Sequence, residues 1–336
     1  MAIQMLKRKK KILVIDNPSP SSSRVAPGLF NPITGRKMVK SWLADKLFPC
    51  LHQFYSNVEM LTGRKFFFPM PVYRPFISIE EQNEWMAKSI EPSFQPYIQN
   101  VFTSQSIPGV KDKHGGLLLN HTGYLNTVAY LDAVKALIQL EGTFIEAQVK
   151  EGDIRIQKDS VRYNNFEAER LIVCSGPQTS PWFSWLPVKP LKGETLQVAC
   201  DFTEQMIINR GVYVVPAAES NQWRIGATYD HEDNEPKITE KAKAELVEKT
   251  QELITFPFNI VHQEYGFRPT TPDRRPILGR HPEMERVFTF NGMGTKGVSL
   301  TPYFSDVLAR FIENDEPINK EVDIERYKLL YCTSPR

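Results

Sequence analysis

Along the chain the apolar positions switch between two spacings. Ile12 to Ile15 form an unbroken apolar run, the pattern of a parallel strand buried on both faces. Ahead of it, Ala2, Ile3, Met5 and Leu6 give a short apolar face, and basic residues fill positions 7–11. That arrangement predicts a helix end over 2–11, its cations favoured by the helix dipole and solvated. Val128, Leu131, Val134, Leu137 and Ile138 keep a helical stripe over 127–140. Helices are also expected over 38–55 and 238–254. Segments 143–149, 153–157 and 160–163 read as a three-stranded meander. ERLIVCSG reads as a buried strand ending in a glycine. ETLQVAC, QMIIN, GVYVVP and QWRIGATY predict further strands, and FFFPMPVYRPF breaks into strand-like pieces. NPSPSSSR reads as a loop, and the tail after Tyr331 as loosely held. VFTF, a glycine loop and a helix from near Val298 close the pattern.

Parallel-type strands at both ends and in the middle, with antiparallel material between, do not suit one uninterrupted block. They suit a mixed α/β fold in which two domains interleave. One is a dinucleotide-type, Rossmann-like sheet assembled from 1–45, 119–187 and 266–336. The other is an antiparallel β domain assembled from 46–118 and 188–265.

Composition narrows the function class. With 41 basic and 39 acidic residues, the charge balance of +2 argues against a nucleic-acid coat or a membrane-seeking surface. The four cysteines, Cys50, Cys174, Cys200 and Cys332, form no CxxC pair, so neither a metal site nor a disulfide framework is expected. No apolar run is long enough for a membrane span, and Ile12–Ile15 is too short for a signal-peptide core. The expectation is a cytoplasmic protein.

Three stretches carry candidate chemistry. The first strand ends on Asp16. An acid at the end of the second strand of a dinucleotide-binding unit accepts hydrogen bonds from a ribose diol. Such a unit has a GxGxxG turn roughly 20 residues before the acid. Here the 15 residues before Asp16 contain no glycine. The alternative is that Asp16 simply ends a strand and opens the NPSP turn. In NGMGTKGVSL, Gly292, Gly294 and Gly297 sit between a strand and a helix. N–H groups at a helix start suit a phosphate or an electron-rich carbonyl edge; an ordinary connection is the alternative. In GFRPTTPDRRPILGRHP, Arg268 stands between Gly266 and a proline. Its guanidinium could hold a carboxylate in bidentate fashion, or pair with Asp273.

Together these stretches resemble the FAD-dependent oxidoreductases of the D-amino-acid oxidase, glycine oxidase and sarcosine oxidase superfamily. GFRPTTPDRRPILGRHP followed by FNGMGTKGVSLTP is similar to the family's carboxyl-terminal signature. GVYVVP with WRIGATYD resembles the paired strands that line the substrate pocket. LIVCSGP resembles the strand and turn beside the cofactor, and SSSRVAPGLFNPITGR the loop that crosses pyrophosphate and flavin. The resemblance covers nearly the whole chain. It implies that Asp16 meets the adenosine ribose, that Ser22, Ser23 and Arg24 approach the pyrophosphate, and that Ala26 and Gly28 lie near the flavin. Val149 would contact the adenine through its backbone, and Ser175 and Gly176 would close over the cofactor. Gly292, Met293, Gly294, Thr295, Lys296, Gly297 and Val298 would turn N–H groups to the flavin's pyrimidine edge. Arg268 would bind the substrate carboxylate, Tyr213 would position the substrate, and Lys296 would supply positive charge near the flavin.

The implied reaction is oxidation of a C–N bond in a small amino acid or secondary amine, by hydride transfer to non-covalently bound FAD. Oxygen or a quinone would accept the electrons, and a homo-oligomer stays open. This chain departs from glycine oxidases at Met293 and Thr295, where they carry a histidine and a second arginine. Two alternatives stay open. One is a truncated, cofactor-free homologue: without the first strand and glycine turn, the strands at 12–15 and 171–174 would lack their shared neighbour. The other is a flavin domain acting on a modified tRNA base, which the near-neutral charge disfavours.

Overall fold

A computed structural model of the chain describes residues 1–17, 21–35, 37–150, 152–178, 180–217 and 221–333. The prolines and serine of the NPSP turn at 18–20 and the last residues of the tail, 334–336, lie outside them. The chain divides into two compact units. One comprises Met1–Pro20, Leu131–Leu191 and Phe267–Arg336; the other comprises Ser21–Tyr130 and Lys192–Gly266.

The first unit is built on short parallel pairs. Leu13–Asp16 runs parallel to Thr143–Glu146, from Leu13 opposite Thr143 to Asp16 opposite Glu146. Leu171–Val173 runs parallel to Val287–Asn291, which also pairs antiparallel with Ile277–Arg280. The two pairs fall in separate sheets. Leu13, Val14 and Ile15 are therefore half-buried rather than buried on both faces, because the strand has one neighbour among the described residues. The meander consists of Ile154–Ile156, Val161–Tyr163 and Phe166–Ala168. Its expected first strand, at 143, joins Leu13–Asp16 instead. That partner is 130 positions earlier, beyond the reach of any local pattern.

Helix Gly297–Asn314 buries Leu300, Phe304, Leu308 and Ile312, one residue from every turn and all on one stripe. The short helix Ala2–Lys7 is present, but the basic run that ends it is not simply solvated. Arg8 pairs with Asp306 at 2.6 Å and Glu313 at 2.9 Å, and Lys10 with Glu313 at 3.2 Å. Two carboxylates on one helix face give these cations partners that local sequence could not reveal.

The second unit holds most of an eight-stranded sheet. Its order is Phe258–Thr270, Lys189–Cys200, Gln222–Gly226, Val212–Pro216, Ile207–Arg210, Val72–Pro75, Gly116–Leu119 and Ile98–Phe102. Strand alternation sorts its residues into two faces. Tyr73, Leu196, Val198, Ile208, Val214 and Ile225 form one face, packed with Leu246 and Leu253 of helix Glu240–Leu253. Thr195, Gln197, Tyr213, Arg224 and Gly226 alternate onto the other.

Three elements differ from expectation. The helix expected at 38 starts at Ala44 and runs to Thr62, because 39–40 pair with Ile33–Thr34 as a small hairpin. Ser22–Val25 forms one helical turn inside the expected loop. Strand Phe258–Thr270 was not expected: His262, Gln263 and Glu264 interrupt its apolar residues and break the pattern of a buried strand.

Candidate cofactor and substrate site

In the first unit the candidate residues collect at the carboxyl ends of the parallel strands, where open α/β sheets bind ligands. Asp16 ends its strand with an exposed side chain, and its carbonyl accepts from the Ala147 amide at 3.0 Å. Val149 lies exposed just beyond the partner strand Thr143–Glu146. Ser175 and Gly176 follow Leu171–Val173, and Gly292 follows Val287–Asn291.

These two turns are joined by a residue absent from the sequence expectation. Asn291 donates from Nδ2 to the Gly176 carbonyl and accepts at Oδ1 from the Gly292 amide, both at 2.8 Å. Gly292 has φ 73°, and a β-carbon there would stand 2.7 Å from Thr271 Cγ2, so the turn requires glycine. The only forewarning in sequence was the Asn-Gly pair, a common turn signal.

The glycine loop and the Arg268 segment also meet. The Gly294 amide donates to the carbonyl of Pro269 at 2.8 Å, tying the Arg-Pro pair to the start of helix Gly297–Asn314. The Lys296 amide closes a turn onto Met293 at 3.1 Å. Among the described residues the amides of Met293 and Thr295 have no hydrogen-bond partner. Arg268 is half-buried. Asp273, its alternative partner, takes Arg326 at 3.0 Å and the Arg275 amide at 3.0 Å.

Lys296 is half-buried, and Gly297 and Val298 open the helix beside it. Burial holds the Lys296 ammonium below the ordinary lysine range, and the positive charges of Arg275 and Arg274 push it further down. Lys296 and two nearby arginines thus put positive charge at a loop whose Met293 and Thr295 amides have no partner among the described residues. An anion is the complementary ligand.

In the second unit, Ser22, Ser23 and Arg24 lie on the helical turn Ser22–Val25. Gly266 packs so closely that a β-carbon on it would come within 2.9 Å of Ser22 Cα. The Val25 carbonyl accepts from Arg224 at 2.7 Å, and the Ala26 carbonyl from Thr127 Oγ1 at 3.1 Å. Arg224 also pairs with Glu264 at 3.0 Å. The Gly28 carbonyl accepts from the Leu125 amide at 3.1 Å. The segment after the helical turn is therefore fastened through its carbonyls. Tyr213 is half-buried on strand Val212–Pro216, directly opposite Gly226, which is itself opposite Thr195. Thr195 is buried, and its hydroxyl has no partner among the described residues.

A model of the FAD dependent oxidoreductase family, DAO, matches residues 1–311. The chain belongs to this family. It is 23% identical over 267 residues to a glycine oxidase of Pseudomonas aeruginosa, covering 72% of this chain and 71% of that one. Among solved structures, glycine oxidase from Bacillus cereus has a TM-score of 0.75 at 16% identity, over 94% of this chain and 92% of its own. Iminodiacetate oxidase from Chelativorans sp. has a TM-score of 0.75 at 17% identity, over 97% and 94%. The fold is thus the mixed α/β fold of these flavoenzymes, and the chain is an enzyme of the amino-acid and amine oxidase type. No described helix is long and apolar enough to cross a membrane.

The residues present fit the family's FAD. The amides of Met293 and Thr295, unpaired among the described residues, and the positive charge of Arg274, Arg275 and Lys296 match the electron-rich edge of a flavin. Gly176 leaves open space where a β-carbon would stand.

Proposed function

We propose that the chain oxidises the C–N bond of a small amino acid or secondary amine, with FAD bound non-covalently. The cationic glycine loop, hydrogen-bonded through Gly294 to the Pro269 carbonyl beside Arg268, is the observation that supports it most directly. The chemistry that FAD supplies when bound is acceptance of two electrons and the α-hydrogen as a hydride, which leaves an imine for water to hydrolyse.

The protein's share is binding and orientation. The Arg268 guanidinium holds the substrate carboxylate by paired hydrogen bonds. The Tyr213 hydroxyl fixes the substrate's other end. Lys296 and the amides of Met293 and Thr295 offset negative charge that develops at the loop. Asp16, the segment from Ser22 to Gly28, Val149, Ser175 and Gly176 hold the remainder of the cofactor. The segments 1–45, 119–187 and 266–336 serve the cofactor, and 46–118 and 188–265 the substrate. Oxygen or a quinone takes the electrons onward, and the enzyme works in the cytoplasm. Relatives and structural neighbours named for glycine, D-amino acid and iminodiacetate oxidation support this substrate class.

The test is to load the purified chain with FAD and add glycine, sarcosine, D-alanine and iminodiacetate without oxygen. Loss of the flavin's visible absorbance with at least one of them is expected. A chain that holds no flavin, or holds flavin that none of these amines bleaches, would sink the reading. Release of flavin on acid or heat denaturation is expected; flavin that stays on the denatured chain overturns non-covalent binding.

A further inference from the structure

Asn291 does more than end a strand. The parallel ladder between Leu171–Val173 and Val287–Asn291 stops at Val173 opposite Thr289. Beyond that point the two chains separate into the turns at Ser175–Gly176 and Gly292. Asn291 spans the gap with both ends of one buried amide, at 2.8 Å to each turn.

Among the described residues, little else restrains the Ser175–Gly176 turn. Gly176 has φ 61° and nothing within 4 Å of where its β-carbon would be, so one side is open. A cavity of about 40 Å³ borders Ser175, lined also by Gln178, Ser180, Phe183, Thr289 and Asn291. It is large enough for roughly three or four waters at about 10–15 Å³ each. The buried Ser180 hydroxyl at its wall has no partner among the described residues. The turn's own hydrogen bond, from the Gln178 amide to the Ser175 carbonyl, is long at 3.3 Å. A turn with open space on one side and a cavity on another depends on its remaining strong contact.

We infer that Asn291 is a positioning residue for the cofactor: its amide sets the spacing of the two glycine turns between which FAD is held. The inference rests on the cofactor reading above. A carboxamide suits the task because it donates to one turn and accepts from the other. An aspartate would keep the bond from the Gly292 amide and lose the donor to Gly176. At neutral pH it would set a carboxylate oxygen against the Gly176 carbonyl. Protonation of that carboxyl would restore a donor.

The experiment compares wild type, Asn291→Asp and Asn291→Ala, measuring FAD affinity across pH and, in the cofactor-free chains, hydrogen exchange at the Gln178 amide that closes the turn onto Ser175. FAD binding weaker by about tenfold is expected in both variants, the scale of one hydrogen bond of about 1.4 kcal/mol. In Asn291→Asp alone, affinity recovers as the pH falls through the carboxyl's titration; a merely structural role predicts no such recovery. Exchange at the Gln178 amide should rise severalfold in both variants, while protection in helix Gly297–Asn314 persists. Unchanged exchange overturns the inference, whether or not FAD binds. So does wild-type FAD affinity in both variants. Faster exchange in the variants of a wild type that binds no FAD would keep the clamp and reject the cofactor reading.

Discussion

The ring of Tyr213 lies over Gly226. A β-carbon built on Gly226 would stand 2.7 Å from Tyr213 Cζ and 2.9 Å from Thr195 Cγ2. The three residues are cross-strand neighbours on the sheet face opposite the apolar core. Only the missing side chain lets the phenol settle there. Gly226→Ala should therefore swing the ring outward, with a destabilisation of about 1–3 kcal/mol from overpacking. If Tyr213 positions the substrate, Tyr213→Phe removes only its hydrogen bond and should raise KM roughly two- to tenfold. Gly226→Ala should raise KM at least as much. Steady-state kinetics alongside thermal melts check this pair. Wild-type KM in both variants would remove Tyr213 from the substrate site.

Much of this arrangement was legible because its signals are local. Glycines between an apolar strand and the stripe Leu300, Phe304, Leu308, Ile312 announce a strand, loop and helix without knowledge of neighbours. Strand pairing was less legible. Thr143–Glu146 looks like the start of a meander until Leu13–Asp16 is placed beside it. Phe258–Thr270 was hidden because its exposed edge residues, Asn259 to His262, follow no alternation, and the polar run His262 to Glu264 interrupts the apolar pattern. Asn291 escaped notice for a further reason. Its value lies in two carbonyl and amide partners that only the splayed strand ends bring within reach.

Arg268 offers the sharpest test of the substrate assignment. Its following proline is tied to Gly294, so its backbone stands on the same framework as the cationic loop. Arg268→Leu should lower kcat/KM for amino acids by roughly 10- to 100-fold, the scale of losing charged hydrogen bonds of about 1.5–3 kcal/mol. Amines without a carboxylate should be affected far less. Measuring both substrate types separates loss of a carboxylate partner from general damage. An equal loss for the two would count against the role.

Lys192 is a stability determinant of the second unit. It is 1% exposed, 2.6 Å from Asp233 and 3.8 Å from Glu194, with the Tyr265 ring 5.8 Å away. Glu194 is buried as well and accepts from the Thr239 amide, the Thr239 hydroxyl and Gln263. Lys192→Met keeps the volume but leaves a buried carboxylate without its cation. The expected loss is about 3–5 kcal/mol, read by chemical denaturation. A double variant, Lys192→Met with Glu194→Gln, should recover part of it, because the uncompensated charge is then gone.

His52 should make folding sensitive to mild acid. It stands on helix Ala44–Thr62 with edge-on contacts to Phe30, Phe67 and His121, at 5.6, 5.2 and 5.9 Å between ring centres. Its Nε2 is buried and has no hydrogen-bond partner among the described residues. Burial first, and the charge of His121 second, hold its pKa below the ordinary 6.5. The folded chain therefore binds fewer protons at this site than the unfolded chain. Stability from this group is complete above about pH 6.5 and is lost as the pH falls from there towards the depressed folded value. His281 is depressed by burial and acts in the same direction. Thermal midpoints taken from about pH 7 to about pH 5 should fall in wild type and fall less in His52→Phe, whose ring suits the same aromatic surroundings. Equal slopes in the two proteins would show that His52 does not carry the effect.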